Sequence, residues 1–152
     1  MWDKTQKEIA FELQQLQELL EHYRPLLAKV AGAEPEPVEV AALGAMLQSF
    51  YNGIENIFKR IALELDHEAP RGEAWHSNLL EKMTRAGPAR PAVITASLEE
   101  RLWEYLEFRH VFRSAYSFLL RWDKMAPLVL DCEATLGMLH AEVLAFLSES
   151  KD

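Results

Sequence analysis

Apolar side chains at Ile9, Leu13, Leu16, Leu20, Tyr23, Leu27 and Val30 recur at alternating steps of four and three, the spacing that lines one face of a helix. Pro25 falls inside that pattern and brings no backbone donor, so a kink or break is expected near Tyr23. Glu34-Pro35-Glu36-Pro37 then reads as a rigid turn, with Pro37 in the first turn of a second helix spanning about Val38 to Asp66. Its stripe is Leu43, Met46, Leu47, Phe50, Ile54, Ile57, Phe58, Ile61 and Leu65. Residues 67–97 are broken by Pro70, Gly72, Gly87, Pro88 and Pro91 and hold one short helical pattern, Trp75, Leu79, Leu80 and Met83. Ser97-Leu98-Glu99-Glu100 has the form of a capping box opening a third long helix, expected to continue to about Trp122. Pro127 marks the start of a fourth, whose stripe is Val129, Cys132, Leu136, Leu139, Val143 and Phe146. No strand period appears. The expected fold is all-α: one domain over residues 1–152, an antiparallel four-helix bundle with a loop and short helix inserted between helices 2 and 3.

Composition narrows the functional classes. The apolar runs are too short for a membrane-spanning helix, and no basic-plus-apolar leader opens the chain, so a soluble cytoplasmic protein is expected. Cys132 is the only cysteine, which excludes an internal disulfide and a thiolate zinc cluster within one chain. His22, His67, His76, His110 and His140 lack the close spacing of metal ligands, so neither a metal nor a cofactor is expected. The net charge of -8 argues against a protein that coats DNA. The charge is uneven, however: residues 56–124 hold 11 basic against 10 acidic side chains, while the flanks carry the acid. An anion site therefore belongs in the middle of the chain.

Two polar patterns stand out there. On the second helix, Asn52, Glu55, Asn56 and Lys59 recur at steps of three and four, either as a solvated face or as the rim of a cleft. On the third, the apolar stripe runs Leu98, Leu102, Tyr105, then Arg109, then Phe112, Tyr116 and Leu119, with arginine where an apolar residue is due. At about 100° per residue, Arg109, Arg113 and Tyr116 share one face, with His110 and Ser114 on the adjoining one. Two guanidiniums one turn apart repel, so they belong together only around an anion. The alternative is that Arg109 pairs with an acid of a neighbouring helix, such as Glu55, in a buried ion pair that fixes register.

Arg109, four residues, Ser114, one residue and Tyr116 together resemble the Arg-x4-His-x-Tyr motif of HepT toxins, within the HEPN helical family. Phe50-Tyr-Asn-Gly-Ile-Glu-Asn56, Trp75-His76-Ser-Asn-Leu-Leu80 and Phe108-Arg-His-Val-Phe-Arg113 are similar to the HepT-like branch found beside small nucleotidyltransferases, and with the motif they span about residues 8–147. The resemblance implies a toxin of a toxin–antitoxin pair: a metal-independent endoribonuclease, acting on RNA as a homodimer whose motif helices line a shared cleft. It also implies an MntA-like nucleotidyltransferase antitoxin that adenylylates (AMPylates) the motif tyrosine, the position of Tyr116. Arg109 and Arg113 would supply charge to the reacting phosphate, with Asn52, Glu55, Asn56 and His76 supporting the cleft.

One position departs from the motif. Ser114 stands where the family has histidine, and a hydroxyl with no pKa near neutrality cannot serve as a general base. The base would then come from His110, one turn earlier, or from His76 if its loop folds onto the cleft. Failing both, the chain is degenerate as a catalyst and reads as a nucleotide- or nucleotidyltransferase-binding helical adaptor.

Overall fold

The computed structural model of the chain describes residues 2–114 and 116–149. Six α-helices form, α1 (Trp2–His22), α2 (Arg24–Val30), α3 (Pro37–Ile61), α4 (Trp75–Met83), α5 (Ala96–Ser114) and α6 (Trp122–Glu149), and no strand is present among the described residues. None of the described helices is long and apolar enough to cross a membrane. The break between α1 and α2 falls at Tyr23, two residues before Pro25, as the missing donor requires. At the head of α3, Glu36 and Glu39 cap each other: the Glu39 carboxylate accepts the Glu36 N–H at 2.9 Å and the Glu36 side chain accepts the Glu39 N–H. Pro37 occupies the first turn, where no donor is needed.

The four long elements pack antiparallel around one core. Gln6 on α1 donates to the carbonyl of Leu147 on α6, and Asn56 late in α3 donates to Glu12 early in α1. On the other side, the Tyr105 hydroxyl of α5 donates to the Leu128 carbonyl of α6 at 2.7 Å. The expected stripes of α1, α3 and α6 supply the core, from Leu13 and Leu16 through Leu43, Phe50 and Ile57 to Leu139 and Val143. Two glycines let α3 take close neighbours. A Cβ on Gly53 would lie 2.6 Å from a methyl of Leu16 on α1, and one on Gly44 would lie 2.7 Å from the Phe112 ring on α5. The second approach seats the C-terminal half of α5 against α3.

The second long helix ends at Asp66, as expected, but through a π-helical turn, Ala62–Asp66, which His67 closes in the left-handed region at φ 59. Three other boundaries differ from the sequence expectation. The cap of α5 is Thr95, not Ser97: Thr95 Oγ1 accepts the Leu98 N–H at 3.2 Å, while its own N–H and hydroxyl donate to the Glu142 carboxylate at 2.7 and 3.1 Å. A long-range partner decides which hydroxyl caps. Finally, α5 stops at Ser114 instead of running to Trp122. Ser114 Oγ donates back to the carbonyls of His110 and Val111, both at 3.2 Å, and a 3-10 turn, Ser117–Leu119, leads into α6. That helix begins at Trp122, five residues before Pro127, which lies within it.

The 67–97 insertion folds as loop, short helix α4, and loop, and a buried ion pair holds it. Arg90, with its side chain 1% exposed, forks onto Asp66 at 2.8 and 2.9 Å and donates to the carbonyls of Lys82, Arg85 and Pro91.

Candidate functional site

The face of α3 turned toward α4 and α5 carries Tyr51, Asn52 and Glu55. Glu55 is only 3% exposed, so this part of the polar stripe is no solvated face. A carboxylate so deep in a bundle needs partners, and it has two. His76, brought in by α4, places Nδ1 2.5 Å from Oε2, and Arg109 of α5 places Nη1 3.8 Å from Oε1. Arg109 is held in turn by Nε, which donates to Asn52 Oδ1 at 2.6 Å, and its Nη1 lies 3.3 Å from His76 Nδ1. Four of the expected residues, Asn52, Glu55, His76 and Arg109, thus meet in one cluster drawn from three helices.

Arginine fits the core stripe of α5 because the carboxylate and amide of α3 receive it. Beside them lies the Tyr51 hydroxyl, buried and without a hydrogen-bond partner among the described residues. Burial, and then the charge of Glu55, push its ionisation well above the ordinary phenol range, so it remains a neutral dipole, with Arg109 opposing the shift. The apolar stripe drawn from the sequence leaves out Tyr51, although it stands four residues after Leu47 and three before Ile54. The rim is aromatic and basic: the rings of Trp75 and His76 lie 3.6 Å apart at 31°, and Lys59 Nζ sits 5.2 Å above the Trp75 ring.

The remaining expected residues stand outside the cluster. Asn56 is exposed and bonds Glu12. His110, Arg113 and Ser114 are exposed at the end of α5, and the Ser114 hydroxyl is spent on its own helix. Within one chain, therefore, Arg109 and Arg113 do not converge on a shared anion. Arg109 makes instead the alternative contact, with Glu55. Tyr116 lies beyond the end of α5, so the helical face drawn through it does not exist. It is 73% exposed and stacks on Phe118 with centroids 5.5 Å apart. Two grooves flank the cluster, and both are acidic. The one between α1 and α3 includes Glu12 and Glu18, and the one between α4 and α5 includes Glu81, Glu99 and Glu104.

The chain is an all-α antiparallel bundle with an arginine-centred polar cluster between its second and third long helices. The family model described as HepT-like protein matches residues 42–150, from within α3 through α6, and the chain belongs to that family, of HEPN type. No curated protein and no solved structure matches it.

Proposed function

We propose that this protein is the toxin of a toxin–antitoxin pair: a cytoplasmic, metal-independent endoribonuclease acting as a homodimer and silenced by an MntA-like nucleotidyltransferase. The observation that carries this reading is the placement of Arg109, the motif arginine of a HepT-like chain, in a cluster with Asn52, Glu55 and His76. RNA brings its own nucleophile, the 2′-hydroxyl. Cleavage then asks the protein for a base, a proton for the leaving oxygen, and fixed positive charge beside the phosphorane. Arg109 is fixed by Asn52 and carries that charge.

In a single copy the groove between α1 and α3 and the one between α4 and α5 are lined by glutamates, which do not suit a phosphate backbone. A second copy would remedy this by adding its own Arg109 and the exposed Arg113 of each chain to one cleft. The exposed Tyr116 suits attack by a partner enzyme, and an adenylyl phosphate there would bring negative charge to the mouth of that cleft.

The adaptor reading has one observation in its favour: the Ser114 hydroxyl, at the motif histidine position, is tied back to α5. Induced expression separates the two. The toxin reading expects growth arrest by the chain alone, relief on co-expressing the nucleotidyltransferase, and a mass gain of one or more adenylyl groups that Tyr116→Phe abolishes. Normal growth with a stable, unmodified complex would establish the adaptor.

A further inference from the structure

We infer that His76 is the general base of RNA cleavage, oriented by Glu55, in place of the histidine absent at the motif position; this rests on the ribonuclease reading above. The geometry of one contact sets the tautomer. Glu55 Oε2 and His76 Nδ1 are 2.5 Å apart, and a carboxylate only accepts, so the hydrogen between them belongs to Nδ1. Two lone pairs at that distance would repel strongly, so this contact outweighs the longer 3.3 Å approach of Arg109 Nη1 to the same nitrogen. The lone pair of the neutral ring then lies on Nε2, which has no hydrogen-bond partner among the described residues, and the side chain keeps 21% of its surface exposed. A histidine held at one nitrogen by a buried carboxylate and free at the other has the arrangement a proton acceptor needs.

The competing histidine lacks such support. His110 is exposed on α5 and has no carboxylate partner among the described residues. His76 instead comes from the insertion, which the buried Arg90–Asp66 pair fastens to the end of α3. The charged groups around it are Glu55 from α3, Arg109 from α5, and Lys59 above the neighbouring Trp75. When Nε2 takes a proton, the new imidazolium faces the Glu55 carboxylate at 2.5 Å and the Arg109 guanidinium at 3.3 Å, one attractive and one repulsive.

The step balances without a metal or co-reactant beyond water. The proton of the 2′-hydroxyl passes to Nε2, and the oxygen's electron pair forms a bond to the adjacent phosphorus. The bond from phosphorus to the 5′-oxygen breaks, and that oxygen takes a proton from water. The imidazolium then returns its proton to the hydroxide, leaving a 2′,3′-cyclic phosphate and a 5′-hydroxyl. His76 is the catalytic residue, and Glu55 is a positioning residue.

The test uses the full-length protein and an end-labelled RNA oligonucleotide of randomised sequence. His76→Gln is expected to lower kcat by about 10²–10⁴-fold with KM little changed, and to abolish the acidic limb of the pH–rate profile. His76→Ala is expected to regain rate on addition of imidazole. Glu55→Gln should lower kcat without raising KM, and circular dichroism should show each variant helical. Wild-type protein that leaves RNA intact would overturn the ribonuclease reading together with this inference. Wild-type cleavage matched by His76→Gln would overturn the inference alone, and so would a loss in His76→Ala that imidazole does not restore.

Discussion

Arg109 on α5 donates from Nε to Oδ1 of Asn52 on α3 at 2.6 Å, which fixes the plane of the guanidinium and turns its Nη1 toward Glu55 and His76. The amide thus does for Arg109 what a second carboxylate would do, without adding a charge. It also locks α5 to α3 at that level.

Removing either partner should cost stability in a set order. Arg109→Ala leaves Glu55 buried without its guanidinium, a loss of about 3–5 kcal/mol, whereas Asn52→Ala removes one hydrogen bond to a charged group, about 1.5–3 kcal/mol. Urea unfolding of the two variants measures this. An Asn52→Ala loss equal to or larger than that of Arg109→Ala would show that Glu55 does not depend on the arginine.

Two glycines give opposite outcomes when replaced by alanine. A Cβ added at Gly137 on α6 would meet no packing neighbour within 4 Å, so Gly137→Ala should stabilise by up to about 1 kcal/mol through helix propensity. At Gly53 the same gain is opposed by the clash with Leu16, and overpacking of about 1–3 kcal/mol leaves a net loss. Thermal melts should rank Gly137→Ala above the parent and Gly53→Ala below it. A stabilised Gly53→Ala would mean that α1 is not seated on α3 as described.

The Arg90–Asp66 fork should govern the insertion that carries His76. Arg90→Met leaves the Asp66 carboxylate with Lys82, 3.5 Å away, in place of its bidentate partner and frees three carbonyls, which should destabilise by about 3 kcal/mol. Limited proteolysis should then cut first within residues 67–95. Unchanged resistance of that segment would contradict the role given to the pair.

Alkaline pH should weaken the fold through groups that stay protonated when buried. Burial, with Glu133 adding to it, pushes the Cys132 thiol up to about 12, and burial likewise raises the Tyr51 and Tyr105 phenols. The unfolded thiol ionises near pH ~8.5, so above that pH the unfolded chain loses a proton that the native chain keeps. The contribution is fully present below about pH 8.5 and declines by about 1.4 kcal/mol per pH unit as the pH rises toward the folded value. The phenols join from about pH 10. Unfolding free energies between pH 8 and 10 should therefore fall less steeply for Cys132→Ala than for the parent chain, whatever their starting values. Parallel slopes would contradict the assignment.

The helices are legible in the sequence because apolar side chains at helical spacing must share a face: Leu13, Leu43, Phe50, Cys132 and Leu139 all lie in the core where periodicity places them. The end of α5 is not legible, since Tyr116 and Leu119 continue the spacing and no glycine or proline interrupts it. The cap of α5 escapes a local reading because the competition between Thr95 and Ser97 is decided by Glu142, distant in sequence. The same limit applies to the cluster. A lone glutamate on a helix reads as solvated, and only the arrival of Arg109 and His76 from two other helices makes Glu55 a buried partner. Arg109 itself is visible as a break in an apolar stripe, although the direction of its guanidinium is not.

The most direct test of the central claim, that the Arg109 cluster is an RNA-cleaving centre, is to count new 2′,3′-cyclic phosphate ends in cellular RNA after induced expression of the chain alone and of Arg109→Lys. Lysine keeps the charge and loses the planar fork held by Asn52. The parent chain should generate such ends, and a folded Arg109→Lys should generate about 10²-fold fewer or none. Intact RNA with the parent chain, or undiminished cleavage by the variant, would contradict the claim.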